Sequence, residues 1–62
     1  MLVNISQISE TNYTEEMPIG LVEIESIEAL AAKVDGIIDG KTIVCEWPNG
    51  EGQDVYEIEL VS

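Results

Sequence analysis

The sequence predicts a single small α+β domain, an antiparallel sheet built on a C-terminal β-hairpin with one helix packed on it. Three observations carry that expectation. Residues 41–61 alternate apolar and polar side chains on either side of a Gly-rich turn, which is the period of a strand pair. Ile24, Ile27, Leu30, Ala31 and Val34 recur at intervals of three and four, which lines one face of a helix. A chain of 62 residues leaves room for one domain only, residues 1–62.

In chain order, Leu2 to Ile8 reads as a strand. Leu2, Asn4, Ser6 and Ile8 share one face, with Val3 and Ile5 on the other. Ser9 to Glu16 is polar and has no apolar period, so it reads as a loop, with Tyr13 able to pin it down. Pro18 and Gly20 punctuate the next stretch, and Ile19 to Ile24 is a short strand or the lead-in to the helix. Ser26 is the expected N-cap, its hydroxyl taking an orphan amide of the first turn. Glu25 and Glu28 near the start and Lys33 near the end suit the helix dipole, and Gly36 is the natural stop. About ten residues are marginal as an isolated helix, so the apolar stripe must pack on a sheet. Asp39-Gly40 is a turn dipeptide that closes a tiny hairpin or re-aims the chain.

The hairpin itself runs from Thr42-Ile43-Val44-Cys45-Glu46-Trp47 through Pro48 to Asp54 and returns as Val55 to Val61. With Trp47 opposite Tyr56, Cys45 meets Ile58 and Ile43 meets Leu60, giving one apolar face for the helix. The same register sets Glu46 against Glu57 and Val44 against Glu59 on the other face. A slip of one residue would mix the two faces.

Thirteen Asp and Glu against two Lys give a net charge of -11. Such a balance disfavours direct binding to nucleic acid or to an anionic membrane, because phosphate contacts rest on Lys and Arg. A basic partner protein is favoured instead. The N-terminal residues carry no positive n-region and apolar core of a secretory signal, and no apolar run approaches the ~20 residues of a membrane span. One cysteine excludes an internal disulfide and fits a reducing compartment. The cytoplasm is therefore the expected location, that of a host cell if the chain is viral. The sequons at Asn4 and Asn12 are read as chance without a secretory route.

Catalytic and metal chemistries find little support. Asp35, Asp39, Gly40 and Glu46 match four positions of a calcium loop, but Ile37 and Ile43 stand where ligands are needed. Glu46, Glu57 and Glu59 lack the contrasting environments that make an acid–base pair, and there is no histidine. Cys45 sits mid-strand on the apolar face, without a basic neighbour to favour the thiolate. Trp47 and Tyr56 read as a cross-strand core pair, or as a partner anchor at the hairpin end. No enzyme, cofactor or metal is expected.

The surface is the more telling feature. Like charges directly opposite on a sheet oppose folding. Glu46, Glu57 and Glu59 as a charged platform, with Glu51 and Asp54 reaching out from the loop, therefore suggest a partner-binding face. Carboxylates about 7 Å apart along a strand match about two phosphate rises along a nucleic-acid strand.

Val44-x-Glu46-Trp47, a Gly-rich loop and Tyr56 resemble the C-terminal hairpin of SH3-like barrels over about a third of the chain. That resemblance implies an alternative fold, a small β-barrel with a helical insertion. In size, acidity and lack of catalytic equipment the chain is similar to small virus-encoded inhibitors of host defence nucleases, such as anti-restriction and anti-CRISPR proteins. The likeness lies in composition, not in a motif. The expected function is a non-enzymatic acidic binding protein that docks on a basic surface and blocks nucleic-acid access. The alternative is a structural or accessory subunit acting as a homodimer through apolar surface.

Overall fold

A computed structural model describes residues 1–10, 13, 14 and 16–62. Thr11, Asn12 and Glu15, part of the expected loop, lie outside the described residues, and with Asn12 the second sequon. The chain forms β1 (Leu2–Gln7), β2 (Gly20–Glu23), α1 (Ile27–Lys33), β3 (Ile37–Asp39), β4 (Thr42–Glu46) and β5 (Gln53–Leu60). The five strands make one antiparallel sheet in the order β2-β1-β5-β4-β3. This is the α+β fold read from the sequence. The alternative barrel does not form, because β2 and β3 end on opposite edges of an open sheet.

Alternation places the core. Val3 and Ile5 of β1, Ile43 and Cys45 of β4, and Tyr56 and Ile58 of β5 are buried on one face. Leu30, Ala31 and Val34 from the helix stripe cover them, with Ile24 and Ile27 packed at the margin. Met17, from the segment before β2, completes the core, although its polar surroundings in sequence conceal it.

The helix begins as expected. Ser26 has extended backbone and its hydroxyl oxygen accepts from the Ala29 amide at 3.0 Å. Its end differs from expectation by one residue. Asp35, not Gly36, adopts the left-handed conformation, with φ of 54°. Asp35 N–H then donates to Ala32 and Gly36 N–H to Ala31, the paired bonds of a Schellman motif. Gly36 is needed for another reason: a Cβ there would lie 2.5 Å from Ile43 Cγ2, so only a bare Cα lets the chain cross β4 this closely.

The register of the C-terminal hairpin corrects the sequence reading. Ile43 meets Tyr56, Val44 meets Val55, Cys45 meets Asp54, and Glu46 meets Gln53. Relative to the expected pairing of Ile43 with Leu60, β5 has slid by four positions. An even slide preserves which face each side chain occupies, so the predicted faces survive while every predicted pair changes. Turn chemistry selects this register. Trp47-Pro48-Asn49-Gly50 closes a β-turn, Gly50 N–H donating to the Trp47 carbonyl at 2.9 Å, with Pro second and Gly fourth as a type I turn prefers. Trp47 N–H then donates to the Gly52 carbonyl at 2.8 Å and seals the hairpin. Two residues leave the expected helix platform as a result. Leu60 is 62% exposed, and Trp47 sits half-buried in the turn.

Asp39-Gly40 closes a hairpin, of the two outcomes expected. Asp39 pairs with Thr42 around Gly40 and Lys41, and Gly40 has φ of 61° as the first central residue of a primed turn requires.

Candidate docking face and the turn that borders it

The helix covers one face of the sheet and leaves the other open. Strand parity assigns Glu46 of β4 and Glu57 and Glu59 of β5 to the open face, and all three are exposed. Asp39 of β3 and Glu23 of β2 share that face through their pairing with Thr42 and Leu2. Lys33 lies on the helix side and Lys41 in the turn between β3 and β4, so neither lysine occupies a strand position on the open face.

The acids do not face one another, which corrects the expected Glu46–Glu57 and Val44–Glu59 pairs. Glu57 lies between Ser6 and Thr42, Glu59 opposite Asn4, and Glu46 opposite Gln53. Each carboxylate thus has a neutral polar side chain across the strand, where a second acid would be repelled. Between the Glu46 row and the Glu57 row runs an apolar line, Val55, Val44 and Ile37, in register across three strands. Ile8, the residue after β1, extends it, its N–H donating to the Val55 carbonyl at 2.8 Å.

Glu51 is exposed in the turn as expected, its amide held by the Asn49 side chain at 3.0 Å. Asp54 is not. Its side chain is 0% exposed, because parity puts it on the core face two residues before Tyr56. Oδ2 accepts from the Tyr13 amide at 2.8 Å, and from the Thr14 amide and Thr14 hydroxyl at 3.0 Å each. Oδ1 accepts from the Trp47 indole N–H at 3.0 Å. Burial works to raise its pKa, yet the bonds from Trp47, Tyr13 and Thr14 outweigh that and hold the carboxyl below the ordinary aspartate value. Asp54 is therefore an internal tie between the residue 13–14 segment and the hairpin, and does not reach out from the loop as expected.

The aromatic partners differ correspondingly. Tyr56 is fully buried opposite Ile43, and burial pushes its phenol above the ordinary tyrosine value. Trp47 meets Tyr13 instead, edge to face at 4.9 Å between ring centroids. Its ring also lies over Gly52, where a Cβ would come within 2.4 Å of it.

Burial pushes the Cys45 thiol above its ordinary value, with Asp54 and Asp35 adding negative charge nearby against the pull of a Thr14 hydrogen bond. A shallow cleft of about 360 Å³ beside it is lined by Trp47, Pro48, Glu16, Asp35 and Glu46, without a basic side chain to activate a nucleophile. Among the described residues no group of three His, Cys, Asp or Glu side chains could hold a metal ion. Nor is any described helix long and apolar enough to cross a membrane.

Comparison with family models, curated proteins and solved structures finds no match to this chain.

Proposed function

We propose that the chain is a non-enzymatic binding protein whose open sheet face engages a basic surface of another protein, blocking that surface's access to nucleic acid. The observation that supports this is the arrangement of Glu46, Glu57 and Glu59. All three are exposed on one uncovered face that carries no lysine at a strand position. Asp39 and Glu23 extend the charge to the sheet edges, and Glu51 continues it into the turn. Glu57 and Glu59, two residues apart on β5, sit about 7 Å apart along the strand, close to two phosphate steps of about 3.4 Å. A groove of Lys and Arg that holds a phosphate backbone would accept that spacing.

The homodimer reading is less well supported at this face. A second copy stacked on it would bring Glu46, Glu57 and Glu59 against like charges, at the cost of electrostatic repulsion that a basic partner would turn into attraction.

The test compares the wild-type protein with a Glu57→Lys, Glu59→Lys variant as immobilised baits. Captured protein is eluted with rising salt, and separately with a nucleic-acid duplex. The reading expects capture by the wild type alone, loss at moderate salt, and displacement by the duplex. Equal capture by both baits at low salt would overturn it.

A further inference from the structure

From the line Ile8–Val55–Val44–Ile37 we infer that the open face receives a basic amphipathic helix of the partner, lying across the strands with its apolar stripe on that line. The inference rests on the docking reading above and names the element that would dock. Ile8 and Ile37 are 56% and 70% exposed, apolar side chains that the fold leaves uncovered. They are joined through Val55 and Val44, which are half-buried, into one row that crosses β5, β4 and β3 and ends at Ile8, just past β1 and hydrogen-bonded to Val55.

Spacing selects the occupant. Neighbouring strands are about 4.8 Å apart, so the row offers one apolar side chain on each of three strands, and Ile8 beyond them, over about 14 Å. A helix advances about 5.4 Å per turn and presents about one stripe residue per turn, so some ten residues match the row nearly one to one. Directions along the strands fail this test. On β5 the open-face positions read Gln53, Val55, Glu57 and Glu59, and a helix laid along them would set its apolar stripe on carboxylates.

Charge selects the flanks. One row away on one side stands Glu46, and one row away on the other stand Glu57 and Asp39, each about 7 Å from the apolar line along its strand. Lys and Arg beside an apolar stripe reach that distance while their methylene stems stay on apolar surface. Among the described residues a second copy of this chain offers no such element, since α1 carries a single lysine and buries its stripe.

Three labelled peptides test the proposal by fluorescence anisotropy and circular dichroism. The first places Leu at i, i+4, i+7 and i+11 with Arg and Lys on the flanks. The second has the same composition scrambled to abolish the stripe, and the third is the first with Pro in its centre. The striped peptide should bind about tenfold tighter than either control, the size expected from burying even part of four apolar side chains, and should gain helicity on binding. Ile8→Ser with Ile37→Ser, both at exposed positions, should remove that advantage and leave the weaker charge-driven binding of the scrambled peptide. If the striped and scrambled peptides bind equally, the face reads charge alone and the helix proposal is overturned while the docking reading stands. If no peptide binds at low salt, both fall. Concentration-dependent self-association that Ile8→Ser and Ile37→Ser abolish would give the row to a second copy, and would equally overturn the proposal.

Discussion

The indole N–H of Trp47 donates to Oδ1 of Asp54 at 3.0 Å, a bond across the C-terminal turn from the residue after β4 to the second residue of β5. The other oxygen of the same carboxylate binds the amides of Tyr13 and Thr14, some forty residues earlier in the chain. One buried charge thereby holds the hairpin turn and the N-terminal segment together. Four donors to one carboxylate offset the cost of burying its charge.

Asp54→Asn should destabilise the protein by about 2–4 kcal/mol, because an amide presents donors to groups that already donate. The folded-state pKa of Asp54 lies below its unfolded value. Its contribution is therefore complete above the ordinary value of about 3.9 and is lost as pH falls from there through the lower folded value. Urea denaturation of wild type and variant across pH 2 to 7 should show a constant gap above about pH 5 that closes in acid. A gap independent of pH would contradict the charge assignment.

Ile58→Ala should cost about 2–4 kcal/mol, as for other large-to-small changes in a core. Leu60→Ala should fall within about 0.5 kcal/mol of wild type, as for exposed sites generally. The contrast checks the hairpin register. With Leu60 opposite Ile43 both changes would be costly, whereas with Tyr56 opposite Ile43 only the first is.

Gly52→Ala sets a methyl group against the Trp47 ring, at about 2.4 Å if nothing moves. The ring must swing away from Asp54, at an expected cost of about 1–3 kcal/mol. Tryptophan emission should shift to longer wavelength as the indole becomes more exposed. An unchanged spectrum would show that the ring does not lie over this glycine.

Ser26→Ala should lower stability by about 1 kcal/mol, the usual loss of an N-cap hydroxyl. Ser26→Asp should restore it, since a carboxylate at the start of α1 accepts the same amide and favours the dipole. Thermal melts of the three proteins measure both effects.

Glu57→Lys and Glu59→Lys should leave stability unchanged or slightly raised. Their cross-strand neighbours Thr42, Ser6 and Asn4 are neutral, and the reversal reduces self-repulsion in a chain of net charge -11. Melting temperatures at low and high salt check this. They also separate a binding defect in the variant from a folding defect.

What the amino-acid order determined by itself was parity and local geometry. Alternation sent Ile43, Cys45, Tyr56 and Ile58 to the covered face and Glu46, Glu57 and Glu59 to the open one. The stripe from Ile24 to Val34 and the cap at Ser26 placed the helix. The burial of Asp54 was also within reach, since it alternates with Tyr56 and Ile58, although the Gly-rich residues before it made it look like part of the loop. Only the tertiary structure decided which residues meet. A pattern of period two is blind to a slide of four, so the Trp47–Gly50 turn had to choose the register. The fate of Asp54 depended in turn on donors from Tyr13 and Thr14, brought close by packing and by nothing in the neighbouring sequence. Alternation is a local property, whereas pairing and the solvation of a buried charge depend on the whole chain.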